Sequence, residues 1–107
     1  MKRGDVVVVA LPGDIGKPRP AVIVQSDLLW QTSSVGLIPI TSTLMNPALL
    51  RLTIEPTSAN GLREVSQAMT DKVTTTQRSR IGRIIGQLNA SQMREIDVRL
   101  AAFFGLA

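Results

Sequence analysis

The chain has 107 residues, a net charge of +4, and no Cys, His or Tyr. That length suits one domain spanning residues 1–107 around a single modest core. The missing residue types exclude disulfides, thiolate nucleophiles, Cys/His zinc sites and imidazole acid–base chemistry, so any catalysis must be assembled from Arg, Lys, Asp, Glu, Ser and Thr.

Met1-Lys2-Arg3 precedes an apolar run of only a few residues, which Pro12-Gly13-Asp14 interrupts. Neither a signal peptide nor a membrane span fits this pattern, and a cytoplasmic location is the expectation. Val6-Val7-Val8-Val9, then Pro20-Ala21-Val22-Ile23-Val24, then Val35-Gly36-Leu37-Ile38-Pro39-Ile40 read as strands bounded by Gly, Pro, Asp and Ser. Their apolar residues are continuous rather than alternating, which implies burial on both faces. A small chain covers a second sheet face by curling the sheet into a barrel or by dimerising. Residues 50–54 and 64–76 read as further strands, separated by the turn-rich stretch 55–61, and residues 80–88 as a last short one.

At Leu88 the period changes. Asn89 is placed to cap a helix with Gln92 three residues on, and Leu88 and Met93 occupy the two staple positions. Met93, Ile96, Leu100 and Phe103 follow helical spacing, and Gly105 fits the helix end. The expectation is a mainly β, antiparallel domain closed by one C-terminal amphipathic helix.

Charge is distributed unevenly. Residues 1–71 hold six basic and six acidic side chains, while residues 72–107 hold six basic and two acidic. Lys72, Arg78, Arg80 and Arg83 lie in an acid-free stretch, a patch suited to a polyanion, to an acidic partner or to simple solvation. Arg19, between Pro18 and Pro20, is held extended at the mouth of a strand, where its planar fork suits phosphate or carboxylate oxygens. Thr41-Ser42-Thr43 places three hydroxyls at a strand end, each able to donate to a phosphoryl oxygen. On a regular strand Asp71 would share a face with Val65, Met69 and Val73, and a carboxylate there must be paired or line a cleft. It could pair with Arg19 and orient the guanidinium, or accept a proton, unless a bulge or turn directs Asp71 to water. Trp30 could stack on a base, pack over the sheet or meet a second subunit. Phe103 and Phe104 are expected in the core or a dimer contact.

Together these segments resemble the MazF/PemK group of bacterial toxins. The resemblance rests on Arg3-Gly4-Asp5, on Arg19-Pro20-Ala21-Val22 and on Pro39-Ile40-Thr41-Ser42. It continues through Met69-Thr70-Asp71-Lys72-Val73 and Arg80-Ile81-Gly82 into the helix. It implies a small SH3-like, CcdB-like β barrel with a C-terminal helix, assembled as a homodimer and opposed by a cognate antitoxin. It also implies an endoribonuclease that needs no metal or other cofactor and cuts single-stranded RNA. In that chemistry the ribose 2′-hydroxyl attacks the adjacent phosphorus, leaving 2′,3′-cyclic phosphate and 5′-hydroxyl ends. The nucleophile belongs to the substrate, so the residue types present suffice.

Carried onto this sequence, Arg19 and Thr41 match the catalytic pair, and Asp71 matches a carboxylate used in proton transfer or positioning. Ser42, Lys17, Lys72, Arg78 and Arg80 complete the expected RNA-binding set. Two departures stand out: the loop before Arg19-Pro20 is shortened to residues 11–17, and Met69 stands where some members carry Arg. Lys72, Arg80 or water would then protonate the leaving 5′-oxygen. The alternative is a CcdB-like protein that acts by binding, as a gyrase poison or partner-binding module, without cleaving RNA.

Overall fold

A computed structural model describes residues 1–12, 17–46 and 49–106. Residues 13–16, which include most of the Pro12-Gly13-Asp14 break and the centre of the shortened 11–17 loop, lie outside the described residues. The strands are β1 (Asp5–Val9), β2 (Arg19–Ile23), β3 (Ser34–Thr41), β4 (Arg51–Ile54), β5 (Ser66–Met69), β6 (Thr74–Gln77) and β7 (Ile81–Gln87), followed by helix α1 (Ala90–Phe104).

All pairings are antiparallel. β7 lies beside β1, β1 beside β2, and β2 beside β3; the long β3 then pairs with β6 through its first half and with β5 at its end. β4 extends β5. Strands β6 and β7 occupy opposite edges of the run β6-β3-β2-β1-β7, yet only the 3-10 turn Arg78–Arg80 joins them. So short a link forces the sheet to curl. The expected barrel-like β fold with a C-terminal helix is what forms.

The curl explains the continuous apolar runs. Val6, Val22, Ile38 and Ile40 pack with Ile54, Ala68 and the helix residues Met93 and Ile96 on one face. Val7, Val9, Ala21, Ile23, Val35 and Leu37 form a second buried cluster on the other, with Leu11 and Ile81 against it. Each fully buried side chain of this size contributes ~1.5–3 kcal/mol.

Local signals set the helix. The Asn89 side chain accepts from the Gln92 N–H at 2.8 Å, and the Asn89 N–H donates to Gln92 Oε1 at 2.9 Å, the reciprocal cap the sequence predicts. Gly105 ends the helix at φ 72°. The apolar stripe weakens toward the end: Met93 and Ile96 are buried and Leu100 is half-buried. Phe103 and Phe104, expected in the core or a contact, are exposed and stack edge-on with centroids 5.2 Å apart.

The Arg3-Gly4-Asp5 motif serves the frame. Arg3 donates from Nε to the Val24 carbonyl at 3.0 Å and pairs with Asp97 of α1, while its backbone N–H meets Asp27 Oδ1 at 2.7 Å. Gly4, at φ 95°, donates to the Ile23 carbonyl and accepts from the Leu88 N–H. Buried Asp5 takes bonds from the Lys2 N–H and Gln87 Nε2. The motif ties helix, β2 and β7 to one corner.

Candidate active site

The β2–β3 register pairs Ala21 with Pro39, Val22 with Ile38 and Ile23 with Leu37. Continued two residues, it sets Arg19 opposite Thr41 at the strand ends. There side chains leave the sheet for solvent: Arg19 is exposed and Thr41 half-buried. The Thr41 hydroxyl accepts from the Thr43 N–H at 3.1 Å, a local turn that starts the following loop.

Two clefts flank this pair, and both Arg19 and Thr41 line each of them. The first, about 410 Å³, has an apolar floor of Val8, Pro20, Ile40, Leu62 and Ile85. Its rim carries Ser42, Arg63, Glu64, Ser66 and Arg83. The second, about 380 Å³, is bounded by Leu11, Pro12, Pro39, Thr43, Met69 and Lys72. Arg19 and Thr41 therefore stand on the ridge between two recesses.

Each wall is braced. In the first cleft, residues 62–64 follow buried Asn60, whose Oδ1 accepts from the Thr57 and Leu62 N–H groups and whose Nδ2 donates to the Glu55 carbonyl. Gly61 adopts φ 71°, and a Cβ there would lie 2.1 Å from the Ile85 carbonyl oxygen. Only glycine lets the loop lie so close to β7. Beside Thr41, buried Gln67 grips the next loop: its Oε1 accepts from the Met45 N–H at 2.9 Å and its Nε2 donates to the Met45 carbonyl at 3.0 Å.

Asp71 sits on a turn, the alternative the sequence left open, and not on a regular strand. The expected strand over 64–76 is broken, with β5 and β6 separated by the 3-10 turn Thr70–Lys72. Thr70 anchors that turn: it is buried, and its N–H and hydroxyl both donate to the Leu50 carbonyl. Asp71 accordingly is half-buried and pairs with Arg51 Nε at 3.4 Å, not with Arg19. The same turn delivers Lys72 to the second cleft. Among the described residues that line the two clefts, Lys17, Asp71, Arg78 and Arg80 do not appear.

Arg78 has a structural task instead. Its guanidinium donates to the Trp30 and Thr32 carbonyls at 2.6 and 3.0 Å, and its N–H to the Ser33 carbonyl. These partners precede β3, whose far end carries Thr41, roughly 23 Å along the strand at ~3.3 Å per residue. Trp30 is exposed at that remote end. Arg80 is exposed on the turn between β6 and β7.

The family model described as "PemK-like, MazF-like toxin of type II toxin-antitoxin system" matches residues 2–104. The chain belongs to this family. It is 44% identical over 108 residues to the "Probable endoribonuclease MazF" of Mycolicibacterium smegmatis, an alignment covering 100% of this chain and 99% of that protein. Among solved structures, the Mycobacterium tuberculosis toxin MazF-mt6 superposes with a TM-score of 0.83 at 25% identity, covering 96% of this chain and 98% of that one. A mycobacterial endoribonuclease solved with its cognate antitoxin shares the fold, with a TM-score of 0.85 at 21% identity over 100% of this chain and 97% of that one.

For this MazF-like toxin, sequence reasoning missed Arg63 and Glu64 as cleft residues and Gln67 as a brace. Arg63 and Glu64 follow a turn and carry no local pattern. Gln67 is a buried polar residue within a short strand, a signal visible only once its strand is placed beside β3.

Proposed function

We propose that this MazF-like toxin is an endoribonuclease that cleaves single-stranded RNA by internal attack of the 2′-hydroxyl, with no metal ion. The observation that carries the reading is that Arg19 and Thr41, at the ends of the paired strands β2 and β3, both line each of two open clefts. A phosphodiester on the ridge between them leaves one neighbouring nucleotide in each cleft, and Arg19 meets its non-bridging oxygens with a bidentate guanidinium. Thr41 donates a hydroxyl to the same group, and Ser42 stands beside it on the first cleft's rim.

The 2′-oxygen attacks phosphorus, its proton passing to water, and the bond to the 5′-oxygen breaks. Lys72, in the second cleft, supplies a proton to that leaving oxygen, in preference to Arg80, which lines neither cleft. Asp71, held by Arg51, fixes the turn that carries Lys72. Arg63 and Arg83 extend positive charge along the first cleft and bind flanking phosphates, the sequence-independent part of affinity. The relatives named as endoribonucleases support this activity, and the solved complex supports an antitoxin as protein partner. Two copies would give a dimer with paired sites.

Single-turnover cleavage of a mixed-sequence RNA tests the assignment. Arg19→Ala and Thr41→Val should each slow it by about 10²–10³-fold, the usual cost of removing one donor from a developing negative charge. Unchanged rates in both variants would overturn the site. A purely binding, CcdB-like action would leave the RNA intact with the unaltered protein.

A further inference from the structure

We propose that Glu64 reads the nucleobase lodged in the first cleft, selecting a base that bears an exocyclic amine over uracil. This rests on the RNA-cleaving site proposed above. Among the described residues, the first cleft combines an apolar floor with a charged rim of Arg19, Arg63, Arg83 and one acid, Glu64. Along a phosphate-binding path such an acid is costly, because it repels the backbone that the three guanidinium groups attract. Among the described residues no ion pair engages its carboxylate, so it is not there to neutralise an arginine of the rim.

The backbone that carries it is held in place. Ser66 Oγ donates to the Glu64 carbonyl at 2.9 Å, and the preceding turn is pinned through Asn60 and Gly61 against β7. The floor offers Val8, Pro20, Ile40 and Leu62 to the flat face of a base. In a chain with three aromatic residues, none lining this cleft, aliphatic side chains take the place of a stacking platform. A base lying there presents its Watson–Crick edge to the rim, since single strands leave that edge unpaired.

An ionised carboxylate only accepts hydrogen bonds. Cytosine offers its N4 amine, adenine its N6 amine and guanine its N1–H and N2 amine together. Uracil offers N3–H alone, between two carbonyl oxygens that repel a carboxylate. Glu64 therefore converts an electrostatic penalty paid by every RNA into discrimination between bases.

The experiment compares binding of short 2′-O-methyl oligo(C) and oligo(U), which lack the attacking hydroxyl, to the unaltered full chain, Glu64→Ala and Glu64→Gln, by fluorescence anisotropy at fixed salt. The unaltered protein should prefer oligo(C) by about tenfold, within the range for one good base contact. Glu64→Ala should bind oligo(U) more tightly and reduce the preference to near unity. Glu64→Gln, which adds an amide donor able to meet a uracil carbonyl, should also lose it. Equal tightening for both RNAs would show that Glu64 is only a repulsive charge, and an unchanged preference would remove it from the reading site; either overturns the proposal. Because binding is read without turnover, an unaltered protein that prefers oligo(C) but cuts no RNA would refute the cleavage chemistry and leave base selection standing.

Discussion

Replacing Gly61 with Ala probes the brace behind the first cleft, and Gly105→Ala provides its internal control. Both glycines have nearly the same backbone, φ 71° and 72°, so both substitutions carry the left-handed penalty of ~1–2 kcal/mol. Their surroundings differ. A Cβ at Gly105 meets nothing within 4 Å, whereas at Gly61 it falls 2.1 Å from the Ile85 carbonyl oxygen and 2.8 Å from its carbon. Those atoms are backbone in β7 and cannot swing aside. The loop must therefore retreat, weakening the bond from the Gln87 N–H to the Ala59 carbonyl at 2.9 Å. A lost buried bond with an unsatisfied partner adds about 1–3 kcal/mol. The expected loss is about 1 kcal/mol for Gly105→Ala and about 3–4 kcal/mol for Gly61→Ala. Urea denaturation followed by circular dichroism measures both, and RNA cleavage by the surviving Gly61→Ala protein reports the displaced 62–64 wall. Equal destabilisation by the two substitutions would refute the close approach.

Other consequences separate the cations by task. Arg63→Gln and Arg83→Gln should each lower the slope of log affinity against log salt by about 0.7, the value for one phosphate contact on a single strand. Arg78→Gln should leave that slope unchanged and instead destabilise the fold, because its guanidinium holds the Trp30 and Thr32 carbonyls; anisotropy titrations over a salt series and thermal melts distinguish these outcomes. Asn89→Ala should cost ~1 kcal/mol in urea denaturation through loss of the reciprocal cap. A smaller loss in an Asn89→Asp variant would follow from its retained acceptor.

The features legible in sequence are those written locally. The Asn89 and Gln92 cap, the Gly105 terminus and the three apolar strand runs are each encoded within a few residues, and all appear where the pattern places them. The doubly buried strands pointed to a curled sheet or a dimer, because one face of an ordinary open sheet would have been polar. The regular-strand alternative for Asp71 fails because period two does not run through Thr70, whose bonds to the Leu50 carbonyl wind the chain into a turn. Nothing within residues 64–76 announces that distant acceptor.

The site divides in the same way. Arg19 and Thr41 were visible through the prolines and hydroxyls at the strand ends, and β2–β3 pairing then brings them opposite each other. The basic patch was legible only as composition. Its members separate in space: Arg83 reaches the first cleft, Lys72 the second, and Arg78 turns to backbone carbonyls at the remote end of β3. Linear proximity of charges did not specify a common surface, because the turns at Thr70–Lys72 and Arg78–Arg80 redirect the chain twice.

The chemistry of the cut ends tests the central claim most directly. Mixed-sequence RNA is incubated with the purified full chain in excess EDTA, and its fragments are analysed by mass spectrometry. The account predicts 2′,3′-cyclic phosphate and 5′-hydroxyl termini, with cleavage slowed by about 10²–10³-fold in Arg19→Ala. Intact RNA, 5′-phosphate termini, or cleavage that persists at full rate in Arg19→Ala would contradict it.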